Sequence, residues 1–151
     1  MQRLRVASLV LLLGCPGAGT DTADSSDTGS GDSGVDPNAP VIDSADLYCY
    51  LHTTGDEFTQ WVALATAHDK QGTDTIETLG RIDMSDAGGA IGTATLICES
   101  GSCSASWHDG DYDVACDETA LPNYDFSFVV TDIDGNESAP VVIGGRKEAD
   151  Q

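Results

Sequence analysis

From Tyr124 to Thr131 the chain alternates. Tyr124, Phe126, Phe128 and Val130 fall on one side of an extended backbone, and Asp125, Ser127 and Thr131 fall on the other. Successive side chains of a strand point to opposite faces, so this period of two predicts a half-buried strand. It argues against an amphipathic helix, whose period is 3.6. The same rhythm returns along the chain. Leu47, Cys49 and Leu51 alternate with Tyr48, Tyr50 and His52, and Trp61 to His68 (WVALATAH) is a strand rich in small residues. Ala94, Leu96 and Cys98 precede Glu99-Ser-Gly-Ser102, and Cys103, Ala105 and Trp107 follow it, which predicts a hairpin. A last strand lies near Pro140 to Gly144, where Pro140 suits a strand start. The best helical candidate is one short turn near Asp117 to Leu121. Several short strands at this spacing predict an all-β fold, an antiparallel β-sandwich.

The alternation occupies residues 40–146, a normal span for one small domain, with residues 147–151 as a tail. Residues 16–39 (PGAGTDTADSSDTGSGDSGVDPNA) have another character, with no aromatic residue and no Lys or Arg. Such a stretch buries too little apolar surface to offset its ordering entropy, which predicts a disordered, acidic Gly/Ser/Thr/Asp linker. At ~5–6 Å × √n its root-mean-square reach is roughly 25–30 Å. Across the chain 26 Asp and Glu face 6 Lys and Arg, a net charge of −20. That surface repels nucleic acid and anionic headgroups, so no nucleic acid partner is expected, while divalent cations stay open as ligands.

Before the linker, Arg3 and Arg5 precede an apolar run of eight residues, Val6 to Leu13. A bilayer span needs about 20, so residues 1–14 are expected to be a cleaved signal peptide. Leu12-Leu13-Gly14-Cys15 resembles the bacterial lipobox. The resemblance implies cleavage before Cys15 and acylation of that residue. It further implies a membrane partner through the lipid anchor, and a place in the cell envelope as an outer-membrane lipoprotein of a Gram-negative bacterium. Two or three acyl chains anchor stably where one does not. The alternative is an ordinary secretory signal cut near Ala18-Gly19-Thr20.

APVIDSADLYCY, WVALATAHDKQGTDTIETL and YDFSFVVTDIDGNESAPVVI together resemble bacterial immunoglobulin-like and fibronectin type III-like domains over most of residues 40–144. In those domains a V-T-D-x-D-G-N segment joins the last two strands. The resemblance implies an Ig-like sandwich, in which Tyr124 would form a tyrosine corner.

Beyond Cys15 four cysteines remain, an even number that in an exported chain implies disulfides, with three pairings open. Cys98 with Cys103 and Cys49 with Cys116 are favoured. The first pair flanks a four-residue loop, and the second is expected on strands whose neighbours Leu47, Leu51 and Val114 read as buried. A zinc site using His52 or His108 is the alternative, though no CxxC pair exists.

Two acidic clusters invite chemistry. His108 to Asp113 offers Asp109, Asp111 and Asp113 as calcium candidates, with Asp117 and Glu118 close behind. Calcium takes six to eight oxygens, which such clusters supply. In Asp132 to Glu137, Gly135 falls at the fourth position rather than the sixth of an EF-hand loop, so a hairpin turn is the simpler reading. Gly31-Asp32-Ser33-Gly34 matches the segment around a chymotrypsin-like nucleophile, yet every His follows Ser33 instead of preceding it. Paired carboxylates raise a glycosidase, but few aromatic residues are available to line a sugar cleft. No catalytic set and no obligatory cofactor is therefore expected, calcium being the one candidate ion. The expected function is non-enzymatic: an envelope protein presenting an Ig-like module to an unknown envelope or extracellular protein or glycan. The alternative is a calcium-stabilised adhesion or carbohydrate-binding module.

Overall fold

The computed structural model describes residues 36–151. The expected signal peptide, Cys15, the linker as far as Val35, and Ser33 with its neighbours lie outside the described residues.

The described chain is all-β. Its strands are β1 (Val41–His52), β2 (Phe58–His68), β3 (Leu79–Asp86), β4 (Gly89–Glu99), β5 (Ser102–His108), β6 (Asp125–Val129), β7 (Val141–Ile143) and β8 (Arg146–Lys147). They form one eight-stranded sheet in the order β7-β6-β3-β4-β5-β2-β1-β8. Neighbours are antiparallel except β1 and β8, which run parallel through Tyr48 opposite Arg146 and Cys49 opposite Lys147. The order β6-β3-β4-β5 is a Greek key, three consecutive strands with the fourth returning beside the first.

The last two strands dictate the shape. β7 and β8 occupy opposite edges of the sheet, yet only Gly144 and Gly145 separate them in sequence. Eight strands at about 4.8 Å would hold flat edges roughly 34 Å apart. Three Cα steps reach about 11 Å. The sheet therefore curls until its edges meet, giving a sandwich-like body. Gly145 sits at that seam. A Cβ there would lie 3.0 Å from Leu47 Cδ2, 3.1 Å from Leu121 Cδ2 and 3.3 Å from Phe126 Cε2. Glycine is thus favoured by close approach, not by backbone angle.

Alternation fills the interior. β1 turns Leu47 and Cys49 inward, β2 turns Trp61, Ala63, Ala65 and Ala67, and β5 turns Cys103 and Trp107. From the other half come Ile82 and Met84 of β3 and Phe126 and Phe128 of β6. Trp61 meets Phe126 across the core, with ring centroids 5.8 Å apart. Full burial of one such side chain contributes roughly 1.5–3 kcal/mol.

β6 is shorter than the alternation predicts. Tyr124 closes a 3-10 turn at Leu121–Asn123, and the ladder stops at Val129. The Ser138 hydroxyl takes the Val130 N–H at 3.1 Å, and the buried Asp132 then organises a loop. The hairpin predicted around Glu99 to Ser102 is present, with Ser100 and Gly101 at positive φ between β4 and β5. Cys98–Cys103 and Cys49–Cys116 are disulfide-bonded. These pairs consume all four cysteines of residues 36–151, which removes thiolate from the zinc alternative. The residues set aside as a tail run beside β1: Glu148 N–H reaches Cys49 O at 2.8 Å and Gln151 N–H reaches Leu51 O at 3.0 Å.

Candidate functional site: an aromatic outer face and a split in the sheet

Inward alternation on β1, β2 and β5 sends every other side chain outward, and many of these are apolar. Cross-strand register arranges them in rows. His52 lies opposite Phe58. Tyr50, Gln60 and His108 form the next row, then Tyr48, Val62 and Ser106. The last row runs Asp46, Leu64, Ser104, Ile97, Leu79, and its Leu64, Ile97 and Leu79 are exposed. Rings adjoin along the face: His52 stacks on Phe58 at 4.7 Å and Tyr48 on Tyr50 at 6.4 Å, while Phe58 meets His108 at a tilt, 4.6 Å apart. The Arg146 guanidinium covers Tyr48, 5.2 Å from the ring centre, and pairs with Asp46 and Glu148.

The second feature is a split. β4 and β5 pair only through Ile97–Ser104, Cys98–Cys103 and Glu99–Ser102. Beyond those three pairs β4 follows β3 and β5 follows β2, so the strands diverge from the disulfide. A cavity of about 410 Å³ occupies the gap. Ala94 and Thr95 wall one side, Ala105, Ser106 and Trp107 the other, and Asp111 and Tyr112 close the wide end. Tyr112 is held there by its hydroxyl, which donates to Thr93 O at 3.0 Å, and by its ring, edge-on to Trp107 at 5.9 Å. Gly92 makes room for that ring, since a Cβ would fall 2.9 Å from Tyr112 Cδ1.

A hydrogen-bonded chain on the outer face reaches the cavity edge at Ser106. Tyr50 donates its hydroxyl to Gln60 Oε1 at 2.9 Å, and Gln60 Nε2 donates to Ser106 Oγ at 2.9 Å. The Ser106 hydroxyl accepts that bond and keeps its own proton to give. Trp107 is 6% exposed, and its indole N–H is buried without a partner among the described residues. Asp111 Oδ2 accepts the His108 N–H at 2.9 Å, which aligns the carboxylate beside the opening.

The calcium candidates do not come together. Asp109 Oδ1 accepts the Thr59 N–H at 3.1 Å and Asp111 caps His108, so both fasten the end of β5. Among the described residues no three His, Cys, Asp or Glu side chains group so as to hold a metal, Asp113 included. In the second cluster Asp132 accepts the N–H groups of Asp134 (2.9 Å) and Asn136 (2.8 Å) and the Asn136 side-chain amide (2.8 Å). Burial pushes its carboxyl up, but those hydrogen bonds outweigh burial and hold it below the usual carboxylate range. The sequence singled out Asp111 for another chemistry and treated Trp107 only as a strand residue. Neither the cavity nor the place of Tyr112 over Gly92 was foreseen. A Trp at an inward position close to a Tyr-Asp segment was the available signal, but the split that joins them depends on where pairing stops.

The chain matches no family model, and neither a curated protein nor a solved structure is significantly similar to it. What stands independently of any relative is a β-rich, sandwich-like domain with two disulfides and the surfaces described above.

Proposed function

We propose that this chain is a non-catalytic, lipid-anchored envelope protein whose Ig-like domain binds a partner through the outer face of β1, β2 and β5. The observation that carries the binding role is that face itself. It gathers Tyr48, Tyr50, Phe58 and Leu64 in adjoining rows and extends through Ile97 to Leu79. Aromatic residues flanked by polar ones, here Gln60, Ser104 and Ser106, are the composition enriched at recognition surfaces. The Ig-like reading draws support from the Greek-key order and from a last strand that crosses from β6 to lie parallel with β1. It draws further support from the Tyr124 hydroxyl, which accepts the Ala115 N–H at 3.3 Å just before β6. The anchor rests on the lipobox resemblance around Cys15, and a strongly acidic linker suits a spacer that holds the domain off an anionic surface.

One experiment on intact cells addresses both parts. A photo-reactive residue is placed at Leu64, Ile97 or Asp125 in the full-length protein, and the membrane-extracted product is weighed intact. We expect a chain beginning at an acylated Cys15, with one discrete adduct from positions 64 and 97 and none from 125. An unlipidated chain beginning beyond Cys15 would sink the anchor. Adducts equal at all three positions, or absent from all, would sink the face.

A further inference from the structure

We propose that the outer face of β1, β2 and β5 receives a basic segment of a partner protein, one that sets arginine or lysine side chains among apolar ones. This rests on the binding role given to that face above and names the chemistry of its partner. The apolar content of the face is what calls for cover. Leu64, Ile97 and Leu79 are 43%, 59% and 62% exposed, and Tyr48, Tyr50 and Phe58 are only partly buried. Large apolar side chains gathered on adjoining strands mark an interaction site, whereas the same residues scattered singly do not.

Charge then selects the occupant. The middle of the face is neutral, with Gln60, Val62, Ser104 and Ser106 between the larger apolar residues. Carboxylates surround it. Asp46 and Glu148 flank the β1–β8 edge, Glu99 ends β4, and Asp109 and Asp111 follow β5. Against these five stands Arg146, whose guanidinium is already shared between Asp46 and Glu148. Among the described residues Glu99, Asp109 and Asp111 pair with no Lys or Arg. Lys147 stands opposite Cys49 rather than Tyr48, and its charge acts on Asp117. An acidic rim without its cations steers a basic partner and rejects an acidic one.

Arg146 already makes, within the chain, the contact assigned to the partner. Its guanidinium lies 5.2 Å from the Tyr48 ring centre while it pairs with two carboxylates. Ring and carboxylate both favour a cation placed between them. The Phe58 end of the face has the same two components and no cation. The Thr59 N–H, next to Phe58, holds Asp109 at 3.1 Å. The Phe58 ring meets His108, whose N–H holds Asp111 at 2.9 Å. Other occupants fit less well. A second copy brings its own net charge of −20, and anionic headgroups are repelled likewise. A neutral glycan stacks on rings but gains nothing from the rim.

The test titrates the full-length protein at physiological ionic strength with three short peptides of equal length. Leucine alternates in them with arginine, glutamine or glutamate, and a cello-oligosaccharide serves as the glycan probe. We expect saturable binding of the arginine peptide alone. D109N/D111N should weaken it about three- to tenfold, the worth of two exposed ion pairs. Asparagine keeps an oxygen for the Thr59 and His108 N–H groups, so the end of β5 stays fastened. L64S should weaken it about tenfold. D74N/D125N removes the same charge from the Thr73–Thr75 turn and β6 and should change little. Equal losses in the two charge pairs would overturn the proposal, because overall charge and not this face would then draw the peptide. Stronger binding of the glutamine peptide, the glutamate peptide or the oligosaccharide would also overturn it, as would self-association abolished by L64S. Cross-linked adducts at positions 64 and 97 without arginine-peptide binding would keep the face and discard the basic partner. The absence of both would discard the face as well.

Discussion

The curled sheet has two seams, and they are finished differently. At the β7–β8 seam the chain itself crosses between edges, and a methyl group on Gly145 would press on Leu47, Leu121 and Phe126 together. At the β4–β5 seam pairing stops after three residues, and a cavity of about 410 Å³ remains. Connectivity closes the first seam. A disulfide at its apex and one tyrosine at its mouth hold the second. A continuous sheet can thus be sealed at one seam and parted at another without a change of fold. Two substituted pairs and one titration test whether the seams really differ.

The largest contrast is between the disulfides. Cys49–Cys116 joins β1 to the segment that leads from the cavity to β6, across a sequence separation of 67 residues. Cys98–Cys103 spans only 5. On the loop-entropy model the long link contributes roughly 4.4 kcal/mol and the short one about 2. Denaturant titration of C49S/C116S and C98S/C103S should therefore rank the long link first by about 2 kcal/mol. If the short link matters more, the apex of the open seam is under greater demand than its three ladder pairs suggest.

Next come the two crowded glycines. G145A forces a methyl group against three core side chains, an overpacking that costs roughly 1–3 kcal/mol. G92A presses only on Tyr112, whose ring borders a cavity and has somewhere to go. It should cost no more than the hydroxyl bond to Thr93, roughly 0.5–1.5 kcal/mol, while displacing the cavity wall. Thermal unfolding of both variants checks the order. Equal losses would mean that the open seam is as tightly packed as the closed one.

The seams also differ in how far the sequence showed them. Alternation around Phe126 and Phe128, in β1, in β2 and on both arms of the β4–β5 hairpin was plain, because each strand repeats an inward apolar residue. Cys98 and Cys103 followed from that hairpin, whereas Cys116, expected on a strand, pairs with Cys49 from a segment outside the sheet. β3 was missed although Ile82 and Met84 alternate with Arg81 and Asp83, since two buried residues make a short signal. β8 could not be read at all. Arg146 and Lys147 have no apolar side chain, and they form a strand only because Gly145 delivers them to the free edge of β1. The cavity was hidden for a related reason. Nothing local in Thr95 or Ser106 says that their strands have parted.

The smallest effect concerns acid. Three carboxylates with lowered pKa bear on stability in acid. Arg146, across β1 and β8, holds Asp46 below its ordinary 3.8. In the β6–β7 connection Arg81 holds Glu137 below its ordinary 4.5, with its two terminal nitrogens 2.5 and 2.9 Å from the carboxylate oxygens. Asp132 joins them through the loop hydrogen bonds described above. For each, the unfolded chain binds a proton more readily than the folded one, so acid favours unfolding. Their contribution is complete above about pH 5 and falls away as pH drops through and below the ordinary carboxylate values. The exposed pairs are individually weak, so the expected sign is local loosening before global collapse. Amide protection is the suitable readout, corrected for the intrinsic pH dependence of exchange. Glu148 and Gln151, whose N–H groups bind β1, should lose protection first. Cys98, whose N–H binds Thr78 O at 2.8 Å beside the apex of the open seam, should keep it longest. That order would place the weaker closure in acid at β7–β8 and make the β4–β5 split a rigid feature of the folded sheet. The reverse order would mean that the β4–β5 seam, held by one disulfide and three ladder pairs, is the one that opens.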